Sequence, residues 1–488
     1  MQKGEKPVIK PTFVMALMPI VLTMALMMLQ LFIFQDFTPH IPLALGIMIT
    51  GAMAWKWGFK WRDMESGLFS VVAVALPSIA ILMTVGMIIG VWILSGTVPV
   101  LIYYGLAILS PGIFLVAGCL VCALISLSTG TSWGTVGTVG LALVGIGEGL
   151  GIPMCFTGGA VVSGAFFGDK MSPLSDTTNL SPAVCGTDLW SHIKGMVPTT
   201  LPSMIIALII YGFIGMKYSG GTIQGDSVAI ISAELQKNFY LSWWLLLPPL
   251  VVVVLAMKKY PALPSIFAGV VVGGIIAMIA QDVSLHDVFN AMQSGYKSQT
   301  GIATVDKLLS KGGIQSMTWT ITLMMIALGF GGILEKTHCL EVILQRVMKV
   351  AKGRFGLIVS STFAAVGTNA VTGDIYLAIA LPGRMFAPAY RGQGLSTTNL
   401  SRSIEDGGTL VSPLIPWNVG GAFVAGTLGI PTLVYAPFAF ACWISPLLDL
   451  LWAATGFFVP RATDEEKQRW KDMDEMIITP EDFKTMTH

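Results

Sequence analysis

The sequence predicts an all-α, polytopic membrane protein made of two inverted repeats, each with a re-entrant hairpin and an interrupted transmembrane helix. Three observations lead there. The 488 residues are 54% hydrophobic and only 11% charged, where soluble domains carry about 25% charged residues. Apolar runs long enough to cross a bilayer recur along the whole chain. Polar, glycine-rich segments break other runs, and matching segments return in the second half at an offset of about 240 residues.

Composition also excludes function classes. Mean hydropathy is +0.75, and a net charge of +1 implies no nucleic-acid partner. Cys119 and Cys122 form a CxxC, but it sits mid-helix in GCLVCALI without a second pair, so helix packing is the expected role. No GxxxxGKS/T is present, so ATP-driven transport has no support. GTSWG offers a lone serine inside a membrane stretch, not a nucleophile elbow. No cofactor and no enzyme chemistry are expected. His192 and His338 lack metal-ligand spacing.

In chain order, full spans are expected near 11–34, 40–57, 70–95, 111–128, 196–216, 241–257, 261–280, 315–334, 355–367 and 431–459. Shorter or Gly-interrupted runs at 98–109, 134–147, 153–167, 374–387 and 408–429 read as broken helices and hairpins. The total expected is about ten to twelve spans plus two hairpins. The basic N-terminus has no cleavage signal and leads into a retained first helix. Lys3, Lys6 and Lys10 place that end inside, and Lys56, Lys60, Arg62, Lys258, Lys259, Arg346, Lys349, Lys352 and Arg354 mark further inside loops. That leaves 217–240 and 281–312 outside. The 461–488 tail, mixed in charge, reads as a cytoplasmic helix or a disordered end.

The repeat rests on three ordered matches. Ile93-Leu94-Ser95-Gly96-Thr97 returns as Ile333-Leu334-Glu335-Lys336-Thr337. Thr129-Gly130-Thr131-Ser132-Trp133 returns as Thr372-Gly373-Asp374-Ile375-Tyr376. Ser172-Pro173-Leu174 returns as Ser412-Pro413-Leu414. One copy enters its opening span from inside and the other from outside, so the copies are expected to be inverted.

Four polar segments carry the candidate chemistry. SLSTGTSWGTVGTVG is a poor continuous helix. Its interruption frees carbonyls beside the hydroxyls of Thr129, Thr131, Ser132 and Thr135, hard oxygen ligands suited to Na⁺. Small-residue packing of Gly130 and Gly134 is the structural alternative. GDKMSPLSDTTNL carries Asp169, Lys170 and Asp176. Pro173 should end a helix near a hairpin tip. Asp176 among Ser175, Thr177, Thr178 and Asn179 has the character of a cation cage, while Asp169 could simply pair with Lys170. GTNAVTGDIY carries Asp374, whose burial would suit a proton carrier and whose residue type also suits a helix N-cap. SRSIEDGGTLVSPLIPWNVGG carries Glu405 and Asp406, which could bind an ion or proton or pair locally with Arg402. Asn418 is a plausible oxygen ligand there. Asp449 reads as a helix–helix hydrogen bond, Glu335 as interfacial and Glu148 as a surface loop residue.

STGTSWGTVGTV followed by SGAFFGDKMSPLSDTTNLSPAV resembles the NhaC family of sodium/proton antiporters, which has a close branch exchanging malate with protons for lactate with sodium. TGDIYLAIALPGRMF and EDGGTLVSPLIPWN are similar to family motifs too, and the resemblance covers about 60 to 460. It implies the ion-transporter superfamily build, a homodimer and an elevator movement. It places hairpin tips at Ser172 to Asn179 and Ser412 to Asn418, and interrupted helices at Thr129 to Thr135 and Asn369 to Tyr376. More distant dicarboxylate transporters carry Ser-Asn-Thr at the tip, where this chain has Ser175-Asp176-Thr177. The added charge suits proton–cation exchange.

The expected function is therefore exchange of Na⁺ for H⁺ across the cell inner membrane by alternating access. Asp176 and Asp374 would be shared competitively by the two cations, with Asp169, Glu405 and Asp406 supporting. Na⁺ is expected at Asp176, Ser175, Thr177, Thr131 and the carbonyls of the interrupted helices, with Asn179, Asn369, Ser412 and Asn418 as further oxygen donors. Lipid surrounds the protein and a small carboxylate could ride along. The rivals are an organic-anion exchanger using Lys170, Arg384 or Arg402, and a passive channel. The expected organisation is scaffold helices at 1–66, the first repeat at 67–216, a linker with two scaffold helices at 217–300, the second repeat at 301–460 and the tail at 461–488.

Overall fold

The structure, a computed structural model, describes residues 8–34, 38–219, 223–258 and 260–475. Lys3, Lys6, Lys259 and the end of the tail lie outside them. Among the described residues regular structure is helical, apart from one isolated bridge between Leu395 and Arg461. In a bilayer this is required, because a helix satisfies its own backbone polar groups.

The chain opens with α1 (Phe13–Phe32) and α2 (His40–Lys56). Then come α3 (Trp61–Val74), α4 (Leu76–Leu94), α5 (Thr97–Ile108) and α6 (Pro111–Thr129). After a first break follow α7 (Ser132–Thr135), a π-turn (Val136–Gly140) and α8 (Leu141–Gly149). Hairpin 1 is α9 (Met154–Met171) and α10 (Asp176–Cys185), and α11 (Leu189–Tyr218) closes the first half. The middle holds α12 (Ile223–Asn238), α13 (Leu247–Met257), α14 (Ala262–Ala280), α15 (Leu285–Ser294) and α16 (Ala303–Leu309). The second half begins with α17 (Ile314–Lys336), α18 (Cys339–Val350) and α19 (Gly353–Thr372), and breaks before α20 (Ile375–Gly392). Hairpin 2 is α21 (Thr397–Gly407) and α22 (Val419–Leu428). Then come α23 (Thr432–Tyr435), α24 (Phe440–Thr455) and α25 (Asp464–Glu475).

Among the described residues, seven helices are long and apolar enough to cross a membrane, or up to nine if two sharply bent pairs each count once. That is fewer than the sequence predicts. Of the predicted full spans, 40–57, 241–257 and 431–459 fold as α2, α13 and α24, of 17, 11 and 16 residues, where a full span needs about 20. The 281–312 segment also departs from a simple loop. Its α15 lies on α4, with the Ala291 carbonyl against Gly90, and Gly313 donates its N–H to the Gly86 carbonyl at 2.7 Å. The tail packs back as α25, with Glu466 accepting from Thr397 N (2.8 Å) and the Ser396 and Thr397 hydroxyls.

The two halves repeat one backbone pattern at a constant offset. Gly130 and Gly373 both end a helix in the left-handed region, with φ of 71° and 67°. The next residues, Thr131 and Asp374, are extended and cap the following helix. Gly186 and Gly429 end the outer arms of the hairpins, again left-handed. Ser175 and Asn418 are the extended N-caps of α10 and α22. The tips dock alike: Leu174 lies against Gly130, and the Trp417 carbonyl lies against Gly373. This register corrects the Ser-Pro-Leu match. Pro173 corresponds to Pro416, and Ser175 to Asn418, so the resemblance of 172–174 to 412–414 is out of step.

Packing between α6 and α9 depends on small residues. A Cβ on Gly164 would sit 2.1 Å from the Cys119 carbonyl oxygen, and one on Gly168 2.5 Å from that of Ala123. Cys119 and Cys122 are free and buried in this contact, as their mid-helix position suggests. The left-handed break has a measurable consequence. At Gly130 a Cβ would meet the Leu174 backbone at 2.6 Å, whereas at Gly353, also at positive φ, nothing lies within 4 Å. Gly130→Ala should therefore lower the midpoint of thermal unfolding in detergent by more than Gly353→Ala, the conformational strain alone being about 1–3 kcal/mol in each.

Candidate functional site

An interrupted helix leaves free N–H groups at one new end and free carbonyls at the other. Here each break is stabilised by its own cap. Thr131 Oγ1 accepts from Gly134 N at 3.3 Å, and the Asp374 carboxylate accepts from Leu377 N at 2.6 Å. Asp374 is thus an N-cap, as its residue type allowed. It is only 6% exposed, and among the described residues it forms no ion pair with a lysine, arginine or histidine.

Both breaks and the tip of hairpin 1 open on one cavity of about 610 Å³. Its lining brings together Thr129, Thr131, Ser132, Asp169, Ser175, Asp176, Thr177 and Asp374. No lysine or arginine lines it among the described residues. Asp169 is 9% exposed and accepts from Ser132 Oγ at 2.6 Å. Asp176 is exposed to the cavity at the first turn of α10, and Tyr376 Oη donates to it at a long 3.5 Å. The Thr177 and Ser175 hydroxyls are 3.2 Å apart. Three carboxylates thus gather beside hydroxyls at the two helix breaks.

Other expected site residues are elsewhere. Asn179 ties the tip of hairpin 1, donating to the Pro173 and Ser175 carbonyls at 2.9 and 2.7 Å. Asn369, Ser412 and Asn418 satisfy one another behind the tip of hairpin 2. Ser412 Oγ donates to Asn418 Oδ1 (2.5 Å), Asn418 Nδ2 to Asn369 Oδ1 (2.5 Å), and Asn369 Nδ2 to the Gly408 carbonyl (2.7 Å). Asp406 is paired with Lys170 at 2.5 Å, both fully buried. Glu405 accepts from Ser181 Oγ at 2.7 Å and from Thr409. None of these six lines the cavity.

The structure also corrects the expected ion pairs. Lys170 does not neutralise Asp169; it reaches across to α21. Arg402 pairs neither with Glu405 nor with Asp406 but, through Nε, with Asp449 on α24 at 2.8 Å, its Nη1 donating to the Phe458 and Gly195 carbonyls. Asp449 is therefore one end of a helix-to-helix ion pair. Glu148 lies in α8, half-buried, not in a loop. Sequence reasoning gave Trp133 and Tyr376 no role, yet both line the cavity. The signal was available, since they occupy matched positions of the repeat.

A helical membrane protein whose two interrupted helices meet over a carboxylate-lined cavity has the build of a secondary transporter. The sequence profile of the Na+/H+ antiporter family matches residues 164–457. The chain belongs to that family. The Na(+)/H(+) antiporter NhaC of Alkalihalophilus pseudofirmus is 42% identical, over 89% of this chain and 94% of its own. The arginine/ornithine antiporter ArcD of Halobacterium salinarum is 38% identical, over 94% and 95%. The malate-2H(+)/Na(+)-lactate antiporter of Bacillus subtilis is 34% identical, over 89% and 92%.

The buried Arg402–Asp449 pair makes a prediction. Arg402→Met alone strands a buried carboxylate and should cost about 3–5 kcal/mol, while Arg402→Met with Asp449→Leu recovers most of the loss. Thermal unfolding of the single and double variants in detergent measures it.

Proposed function

We propose that the protein is a secondary active transporter that exchanges Na⁺ for H⁺ across the cell inner membrane by alternating access. The observation that carries this reading is the cavity where Asp169, Asp176 and Asp374 converge with the two helix breaks, with no lysine or arginine in its lining among the described residues. Na⁺ sits among Asp176, Ser175, Thr177, Thr131 and the carbonyls freed at the breaks. A proton arriving on Asp176 or Asp374 removes the charge that holds it. Linkage makes the competition reciprocal, because each cation lowers the other's affinity by the same factor. The family relatives named as Na+/H+ antiporters support the choice of ions.

The wider arrangement follows the same reading. The halves 67–216 and 301–460 are inverted repeats, joined by 217–300 and flanked by scaffold helices at 1–66 and a cytoplasmic tail. The N-terminus is cytoplasmic. The cavity is also lined by Ala256 and Tyr260 to Leu263, chain neighbours of the inside-marking Lys258, which supports an inward-facing conformation. An elevator movement within a homodimer follows from the resemblance to the superfamily.

Exchange of malate or lactate is the weaker reading. An organic anion is held more strongly with a cation at its carboxylate. Lys170 and Arg402 are both buried in ion pairs and neither lines the cavity.

The test uses purified protein in vesicles. Asp176→Asn with Asp374→Asn should reduce Na⁺-driven proton flux at least about tenfold, the effect of losing about 1.4 kcal/mol or more of coupling. Full flux in the double variant would refute the shared-carboxylate mechanism. Uptake driven by a malate or lactate gradient would favour the weaker reading.

A further inference from the structure

Behind the cavity lies a buried charged layer where acids outnumber bases. Lys170 and Arg402 face Glu405, Asp406 and Asp449, all 0–1% exposed. Each base is already engaged: Lys170 with Asp406 at 2.5 Å, Arg402 with Asp449 at 2.8 Å. Asp406 also receives Thr199 and Ser445, and Asp449 receives Thr362 and Ser403. Glu405 is the acid left over, and its two oxygens meet only the hydroxyls of Ser181 and Thr409. A buried carboxylate without a base gives up its charge rather than stay ionised.

Among the described residues, the neighbouring elements form no ion pair with Glu405. From α20, the Tyr390 hydroxyl shares a hydrogen bond with Ser361, and the Arg391 guanidinium lies over the Trp470 ring at 5.5 Å. From α11, the His192 ring bonds Ser401 at 2.8 Å. From α10, Cys185 is buried and uncharged as a thiol. From α9, beside the engaged Lys170, comes only a further acid, Asp169.

We infer that Glu405 carries a proton in this conformation and is a proton site of the transport cycle separate from the cation cavity. It is connected to that cavity by one short helix. Ser181, which bonds Glu405, lies one turn beyond Thr177, which lines the cavity, and α10 begins with Asp176. Thr178 ties the same turn to the Asp169 and Lys170 carbonyls at 3.1 and 2.9 Å. Losing the proton places a charge against α10, and so against the element that carries Asp176.

This inference rests on the proposed Na⁺/H⁺ exchange, and the experiment separates the two. Glu405→Gln keeps the shape of the protonated acid but cannot release a proton. In detergent it should bind Na⁺ within about twofold of the unaltered protein, while in vesicles its Na⁺-driven proton flux falls at least about tenfold. Asp176→Asn should instead lose Na⁺ binding. Ser181→Ala and Thr409→Val keep the carboxyl but remove a hydroxyl that favours its charged form, so the pH midpoint of exchange should move alkaline by about one unit. Unchanged flux and pH profile in Glu405→Gln would overturn the inference. So would unchanged midpoints in both hydroxyl variants, which decide the matter if Glu405→Gln does not fold. Absence of Na⁺-driven proton flux in the unaltered protein would instead overturn the exchange reading itself.

Discussion

A helix broken inside hydrocarbon must find partners for every backbone group it uncovers, and the rest of this architecture answers to that demand. Both breaks solve it identically. A left-handed glycine turns the chain, an extended polar residue caps the next helix, and a hairpin tip closes over the turn. At the second break the closure includes a direct bond, since Val419 N donates to the Gly373 carbonyl at 2.9 Å. Ser126 and Asn369, matched in the repeat, each reach into a hairpin arm, to the carbonyls of Ala165 and Gly408. The hairpins are thus fastened to the breaks by the same groups that make the breaks possible.

Charge is handled in two layers. Toward the hairpin interiors, two of the three acids are paired with bases across distant segments, Lys170 with Asp406 and Arg402 with Asp449, while Glu405 meets hydroxyls. Pairs of this kind cost desolvation and are poor evidence for stability, but they fix which helices lie together. Toward the cavity, the acids of the described residues meet hydroxyls and backbone amides. On the proposed exchange, a permanent base there would compete with the transported cation.

The breaks were legible in the sequence because glycine and hydroxyl residues are conspicuous against an apolar background. Thr129 to Trp133 and Thr372 to Tyr376 align correctly, and the cap at Asp374 follows from residue type. The ion pairs were not legible. Arg402 lies within a turn of Glu405 and Asp406, so the local rule points to them. Its side chain instead crosses to α24, and only tertiary packing decides that. The Ser-Pro-Leu match failed for a related reason: proline and serine are common at tips, and three letters carry less information than the positions of left-handed residues. Fewer helices reach span length than predicted because apolarity marks a run but not where a helix ends within it, as at α2, α13 and α24.

The two caps do the same structural work with different chemistry, and this asymmetry matters for exchange. Thr131 is neutral at every physiological pH, so the first break keeps its cap whatever the solution. Asp374 caps through its carboxylate, bonded to Leu377 N at 2.6 Å. An ionised cap is also the stronger acceptor and the better partner for a helix N-terminus. On the proposed exchange, protonating Asp374 therefore weakens the cation site and the cap of α20 together. The loss of the ion and the loosening of one break, but not the other, become a single event. A site built from two aspartate caps would loosen on both sides, and one built from two threonine caps on neither. The mixed pair confines the response to the half that carries hairpin 2.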